Sequence, residues 1–468
     1  MKTDGLSASI SFIDSWLALL WERGEIPGFV VAIADKGKIV FKKAYGYANL
    51  EKKEKLTTSH IFRIASHSKI FTATAIMQLA ERGHLRIDDH VVDYLPWLKQ
   101  HQDKRFLKVT IRQLLSHTAG VIRDGLVNDY WALLDPFPNE KQLRTAILKS
   151  SLVFDTNIQM KYSNFGYSLL GLVIEAGSGK TYNQYVIEHI VQPLGLKDTG
   201  PDYSGDYSRD LDDKLVTGHS RADLNKTRLS ITGKVETNSM SSATGFYSTV
   251  ADLCKYFAAQ KVGTKLLLND ESKKEMQRAQ CRVTNSKQSE EYGLGFIIEY
   301  LSSRCLFGHR GGFPGQRTSS LSDSKSDLFV VVLTNCIDAS PGAINKSIFS
   351  VIDHFLKNGS ASQSKKKLHR FQGRFMELWS ILEFVVLGDK IVAIDPTSWQ
   401  PFDDAEELEY VDEKTLKVVK TNAFASEGEL IHFTFSKSGE IKTVLVCGTT
   451  MWPQDQYMKM LAKKKKIG

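Results

Sequence analysis

Phe29-Val30-Val31-Ala32-Ile33-Ala34 is apolar at every position, Asp35-Lys36-Gly37 has the composition of a turn, and Ile39-Val40-Phe41 returns. The pattern predicts two strands and a turn within residues 28–48. An isolated hairpin is marginal in water, so this one needs covering helices or further strands from the rest of the chain. Both are legible. Ile70, Ala73, Met77 and Ala80 recur at helical spacing and Gly83 ends the run, which predicts a helix over 67–83. Leu169, Leu170, Val173 and Ile174 ahead of Gly177 predict another over 164–176, and 182–193 reads the same way. Ile10, Ile13, Leu17 and Leu20 suggest an amphipathic packing helix near the start, because Asp14 and Glu22 interrupt the apolar core that a signal peptide would want. Strands return at 293–299 and at 328–334, where Leu328-Phe329-Val330-Val331-Val332-Leu333 reads as buried. Residues 123–140 are irregular, and 201–214 read as a surface loop rich in Asp, Ser, Tyr and Gly.

Composition changes at 357–367, where Gly, Ser and Lys give the character of a linker. Beyond it, β-like runs at 371–377, 382–388, 391–394, 416–420, 430–436 and 441–447 alternate with polar turns, the spacing of a small all-β barrel. The expected division is therefore 1–356, a linker at 357–367, and a barrel domain with a basic tail at 368–468. A chain of 468 residues accommodates this at roughly 150 residues per domain.

The formal charge of +8 comes partly from lysine runs at 365–367 and 463–466. Aromatic residues are not interleaved with a basic stripe, which argues against nucleic-acid binding. No uninterrupted apolar stretch is long enough to span a bilayer. Cys254, Cys281, Cys305, Cys336 and Cys447 are scattered, odd in number and without a C-x-x-C pair, against a disulfide framework or a cysteine zinc site. A reducing, cytoplasmic setting is expected, or a secreted or periplasmic one if a leader has been removed. Gly179-Lys180-Thr181 imitates the end of a phosphate loop, but Ile174 stands where the first glycine belongs.

Three segments carry chemistry. Ser66-His67-Ser68-Lys69 lies between the apolar Ile61-Phe62-Arg63-Ile64-Ala65 and the predicted helix. Residues three apart share a helix face, so Ser66 and Lys69 point the same way. A serine hydroxyl needs a base to become a nucleophile, and a lysine amine serves if burial lowers its pKa. Ser66 as a plain helix cap is the competing explanation. Tyr162-Ser163-Asn164 precedes the second helix. A tyrosinate can act as a base beside a lysine, and Asn164 offers a donor and an acceptor for Lys69 and a substrate amide; a half-buried ring is the alternative for Tyr162. In Gly308-His309-Arg310-Gly311-Gly312 the glycines let a substrate lie against a strand edge, with backbone N–H groups available to an oxyanion. His309 adds a donor that can change charge near neutral pH. Taken alone, this segment reads better as an ordinary glycine-rich turn.

Taken in order, these segments resemble the serine β-lactamase, penicillin-binding protein and esterase superfamily, within it the class C β-lactamase-related branch, where His-x-Gly often replaces Lys-Thr-Gly. Ile111-Arg112-Gln113-Leu114-Leu115-Ser116-His117-Thr118-Ala119-Gly120, Tyr162 to Tyr167, Pro193-Leu194-Gly195 and Gly245-Phe246-Tyr247-Ser248-Thr249 extend the resemblance over about residues 10–355. It implies an α/β (α+β) fold: an antiparallel sheet flanked by helices, with an all-helical region carrying Ser66. It also implies Ser66 as nucleophile, Lys69 and Tyr162 as proton carriers, the Ser66 and Gly312 N–H groups as oxyanion hole, and Asn164, His309, Arg310, Gly311 and Gly312 on the substrate. His117 is expected to be structural. No metal or organic cofactor is implied. The implied substrates are small D-amino peptides, β-lactams or esters.

The tail resembles a lipocalin-like C-terminal domain through Phe371-Gln372-Gly373-Arg374-Phe375, Pro401-Phe402 and Ile431-His432-Phe433-Thr434-Phe435. Such a domain can shape access to the active site in relatives. Two departures bear on the substrate. The Pro-Gly that many relatives carry before the tyrosine is replaced by Asp155-Thr156-Asn157-Ile158-Gln159-Met160, and Arg310, if turned inward, could hold a carboxylate. The alternative function is a binding or self-assembling protein that keeps the fold; Ser66, Lys69, Tyr162, Asn164 and His309 together speak against it.

Overall fold

In the computed structural model the predicted hairpin forms: Gly28–Asp35 pairs antiparallel with Lys38–Asn49, Val31 opposite Lys43. The structure describes residues 2–203, 211–284, 289–358, 363–421 and 426–464. Parts of the loop expected at 201–214, of the linker at 357–367 and of the lysine run at 463–466 lie outside the described residues. On its other side Gly28–Asp35 pairs with Phe329–Thr334, Val31 opposite Val332. Every residue of that strand is buried, as its run of β-branched side chains requires. The sheet continues through Gln316–Asp323, Arg304–Phe313 and Ile297–Leu301, and ends on each side in a two-residue strand, Glu54–Lys55 and Cys281–Arg282.

This sheet belongs to a compact unit spanning Glu25–Asn345. The Val250–Ala259 helix packs against it, its Phe257 ring stacked on Phe329 at 4.4 Å. The helix expected over 67–83 forms at Ser68–Glu81 and is buried almost throughout. The one expected over 164–176 forms at Asn164–Ser178, and 182–193 forms as Tyr182–Val186 continued by a π turn at Ile187–Val191. The strand expected over 293–299 begins only at Ile297. Gly295 breaks it with φ +85°, and a Cβ there would stand 2.7 Å from Ala73 Cβ, so the chain must bend to pass the Ser68–Glu81 helix.

The second unit comprises Met1–Gly24 with Lys346–Gly468. The helix near the start runs from Lys2 to Glu22 and seats Phe12 against Phe355 at 6.0 Å and Phe402 at 5.1 Å. Those contacts group it with the C-terminal part of the chain, in contrast to the division expected from the sequence, which runs the first domain over 1–356. The expected barrel is closed and eight-stranded, Met376 of its first strand facing Trp452 of its last. Ile431 and Phe433 point inward while Leu430, His432 and Thr434 do not, the alternation of a strand with one wet face. Phe433 lies 4.8 Å from Phe371 and 5.1 Å from Phe384, so packed rings occupy the interior. Two of its strands, Glu406–Asp412 and Thr449–Pro453, and the Gln454–Lys464 helix were not expected from the sequence. Among the described residues no helix is long and apolar enough to cross a membrane.

Candidate active site

Ser66 stands where the chain turns from the short Phe62–Arg63 strand into the Ser68–Glu81 helix. Ala65 takes the left-handed conformation, φ +48°, which aims the next residue out of the turn. The turn is pinned from several sides. Ile64 N donates to Phe246 O at 2.9 Å, Ser68 Oγ to Ala65 O at 2.5 Å, and Phe246 N to Ser68 Oγ at 3.0 Å. Arg63 anchors the short strand before the turn through a buried ion pair with Asp202 at 3.1 Å. The Ser68–Glu81 helix has His67 at its N-cap and no side-chain capping hydrogen bond, so Ser66 does not serve as a cap.

Lys69 lies one turn on, fully buried. Its Nζ donates to Asn164 Oδ1 and to Ala243 O, each at 2.7 Å, and stands 3.3 Å from Ser66 Oγ. Burial holds its pKa well below the usual lysine range, opposed by the nearby Asp124 carboxylate and aided by Arg123. A lowered pKa makes the amine easier to deprotonate, and once deprotonated it is a base with a free lone pair beside the Ser66 hydroxyl.

Tyr162, Ser163 and Asn164 sit where the Asn164–Ser178 helix begins. Ser163 caps it, its Oγ accepting from Gly166 N at 2.8 Å, which fixes Asn164 as the first helical residue. The Lys69 Nζ lies 4.8 Å from the centre of the Tyr162 ring. Burial pushes the phenol pKa up, with Ser66 and Arg123 pulling only partly back. A neutral phenol is thus favoured over the tyrosinate considered from the sequence. His117 supports this segment from behind: its Nδ1 accepts from Ser163 N at 3.2 Å and its ring lies 4.3 Å from that of Tyr162. Burial first, then Lys69 and Arg123, keep His117 uncharged.

The Gly308–Gly312 segment is a strand rather than a turn. Ile297–Leu301 pairs with Arg304–Phe313 only as far as Ile297 opposite Gly308, so from His309 onward that edge has no strand partner among the described residues. Gly311 passes the Ser66 turn so closely that a Cβ would stand 2.3 Å from Ile64 O and 2.3 Å from Thr318 Oγ1. Gly312 follows, exposed and with open space around it.

Two expectations for this strand need correction. His309 Nδ1 donates to Arg310 O at 2.7 Å, which leaves Nε2 to accept from Tyr292 Oη at 3.1 Å. Burial, then His67 and Lys69, hold its pKa well below the usual value. It is a neutral ring with both nitrogens engaged, not a donor that charges near neutral pH. Arg310 is engaged by carboxylates of the chain itself: its Nη2 lies 2.7 Å from Glu290 and 3.7 Å from Glu299.

Three contributors escaped the sequence: the Ala243 carbonyl, Tyr292, and Asp124, which accepts from Asn164 Nδ2 at 2.6 Å. A carbonyl carries no side-chain signal, and Asp124 falls in a stretch that reads as irregular. Among the described residues no group of three or more His, Cys, Asp or Glu side chains is placed to hold a metal ion.

The chain is 34% identical to Protein flp of Staphylococcus aureus over 178 residues, 38% of this chain, and spans about a third (35%) of that relative's length. It is 29% identical to penicillin-binding protein 4* of Bacillus subtilis over 337 residues, 68% of this chain and 69% of the relative. Its fold is similar to that of the octameric penicillin-binding protein homologue from Pyrococcus abyssi, with a TM-score of 0.65 at 22% identity, covering 94% of this chain and 99% of that one. The Beta-lactamase family model matches residues 13–346, and the chain belongs to that family.

Proposed function

We propose that this protein is a serine hydrolase that works through an acyl-enzyme on amide or ester carbonyls. The observation that carries the reading is the buried Lys69 amine, 3.3 Å from Ser66 Oγ and held there by Asn164 and Ala243. Ser66 Oγ attacks the carbonyl carbon while its proton passes to the Lys69 lone pair. The oxyanion forms against the N–H groups of Ser66 and Gly312, the latter on the open part of the strand edge. Tyr162, kept protonated by burial, gives its proton to the departing amine or alcohol and recovers one from Lys69. Water then enters by the reverse proton path and releases the acid.

Small D-amino peptides, β-lactams and esters are the substrate classes this site suits. The likeness to a penicillin-binding protein supports the first two. Five free thiols support a reducing, cytoplasmic setting.

The test is intact-mass spectrometry after incubation with a fluorescent penicillin and, separately, a fluorophosphonate. Wild type should gain an adduct on the Ser66 peptide, and Ser66→Ala should gain none with its circular dichroism unchanged. No adduct from either probe on folded wild type would remove the hydrolase reading and leave the binding-protein alternative. Penicillin labelling separates a β-lactam-recognising site from one that takes esters only.

A further inference from the structure

Asp124 belongs to none of the motifs that supply Ser66, Lys69, Tyr162 and His309, yet it is the end of the chain of contacts that starts at Ser66. Lys69 Nζ donates to Asn164 Oδ1 at 2.7 Å, and Asn164 Nδ2 donates to Asp124 Oδ1 at 2.6 Å. Asp124 is 4% exposed and its second oxygen takes Arg123 Nε at 3.0 Å, while Arg123 itself is 63% exposed and lies 5.5 Å from the centre of the Tyr162 ring.

An amide side chain can present either its oxygen or its nitrogen to a neighbour. An ionised carboxylate only accepts, so Asp124 requires the Asn164 nitrogen and thereby turns the oxygen to Lys69. The reverse orientation would set two donors against each other at the buried amine. The carboxylate is also the acidic group that meets Lys69 through that amide. Resting on the hydrolase reading above, we propose that Asp124 is a positioning residue for Ser66 acylation, locking the Asn164 amide and supplying a counter-charge that the exposed Arg123 partly offsets.

The proposal separates two neighbours by sign. Asp124 favours the charged form of Lys69 and Arg123 opposes it. The other groups facing Lys69 are the rings of Tyr162 and Tyr167, at 4.8 and 5.4 Å, together with His117 and His309, which burial keeps neutral. If neutral Lys69 is the base, acylation rises with pH as it loses its proton. Removing the Asp124 charge then moves that rise to lower pH, and removing the Arg123 charge moves it to higher pH.

The experiment measures the rate of fluorophosphonate labelling of Ser66 against pH on the full chain, by intact mass, for wild type, Asp124→Asn and Arg123→Gln. Asp124→Asn should shift the half-maximal pH down by about one pH unit and lower the plateau roughly tenfold, because an amide at 124 no longer dictates the Asn164 orientation. Arg123→Gln should shift it up and keep the plateau. Arg123 is exposed, so this variant carries the sign test even if Asp124→Asn fails to fold. No upward shift in Arg123→Gln, or shifts in the same direction in both variants, would overturn the proposal while leaving the hydrolase reading intact. Wild type that does not label at Ser66 would remove both.

Discussion

His67 Nε2 and Ser320 Oγ, 253 residues apart in the chain, meet at 2.6 Å in the buried floor of the Ser66 turn. His67 Nδ1 faces Ile64 O at 3.0 Å and must donate there, so Nε2 accepts from the serine. Ser320 lies opposite His309 in the neighbouring strand, and one hydroxyl thus ties the Ser66 turn to the sheet. Ser320→Ala leaves a buried acceptor unmatched, which costs about 1–3 kcal/mol. Urea unfolding should show that loss, and fluorophosphonate labelling of Ser66 should slow alongside it.

The same histidine makes stability depend on acid. Burial lowers the His67 pKa from 6.5 to about 4. An unfolded chain takes up this proton once the pH falls below about 6.5, and the folded chain does so only near 4. Stability from His67 is therefore present at neutral pH and is lost as pH falls through that window, amounting to about 3 kcal/mol. His117 and His309, whose pKa values burial also lowers, add slopes of the same sign. His67→Gln should show a shallower fall between pH 6.5 and 4 in denaturant titrations; an unchanged slope would show that His67 carries no such linkage.

Gly311 leaves no room for a methyl group. The added Cβ would meet backbone on one side, Ile64 O at 2.3 Å, and Thr318 Oγ1 on the other. Neither can swing away as a long side chain would, so Gly311→Ala should separate the strand from the Ser66 turn. A loss of about 1–3 kcal/mol is expected from the overpacking. Labelling of Ser66 should fall by more than tenfold, because the N–H groups of Ser66 and Gly312 proposed as oxyanion donors sit on the two segments being pushed apart. Gly312→Ala, which meets nothing within 4 Å, is the control that should keep its stability.

What could be read from the sequence is what rests on local pattern. The hairpin from Gly28, the helices after Ser66 and Ser163, and the face shared by Ser66 and Lys69 follow from apolar spacing and turn chemistry. The strand Gln316–Asp323 does not. Its Gln-Arg-Thr-Ser-Ser-Leu-Ser-Asp has a single apolar residue, yet all but Arg317 are buried. The hydroxyls of Ser320, Thr318 and Ser319 meet His67, Ile64 O and Asn345, partners distant in sequence, so no periodicity announces it. Asp124 was hidden for a related reason, since it meets Asn164 across 40 residues of chain. The motif predicted that His309 would be at the site, but not its tautomer, which the Arg310 carbonyl and Tyr292 decide.

The barrel closes on itself, and the open sheet ends on both sides in strands of two residues. Closure denies a stray chain the row of unpaired amides on which aggregation starts, whereas Glu54–Lys55 covers only Tyr47 and Asn49 of its long neighbour Lys38–Asn49. At 309–313 the sheet likewise lacks that protection, because its neighbour stops opposite Gly308. A strand edge open to a substrate backbone is also open to unwanted strand pairing, and its accessibility has to be balanced against solubility.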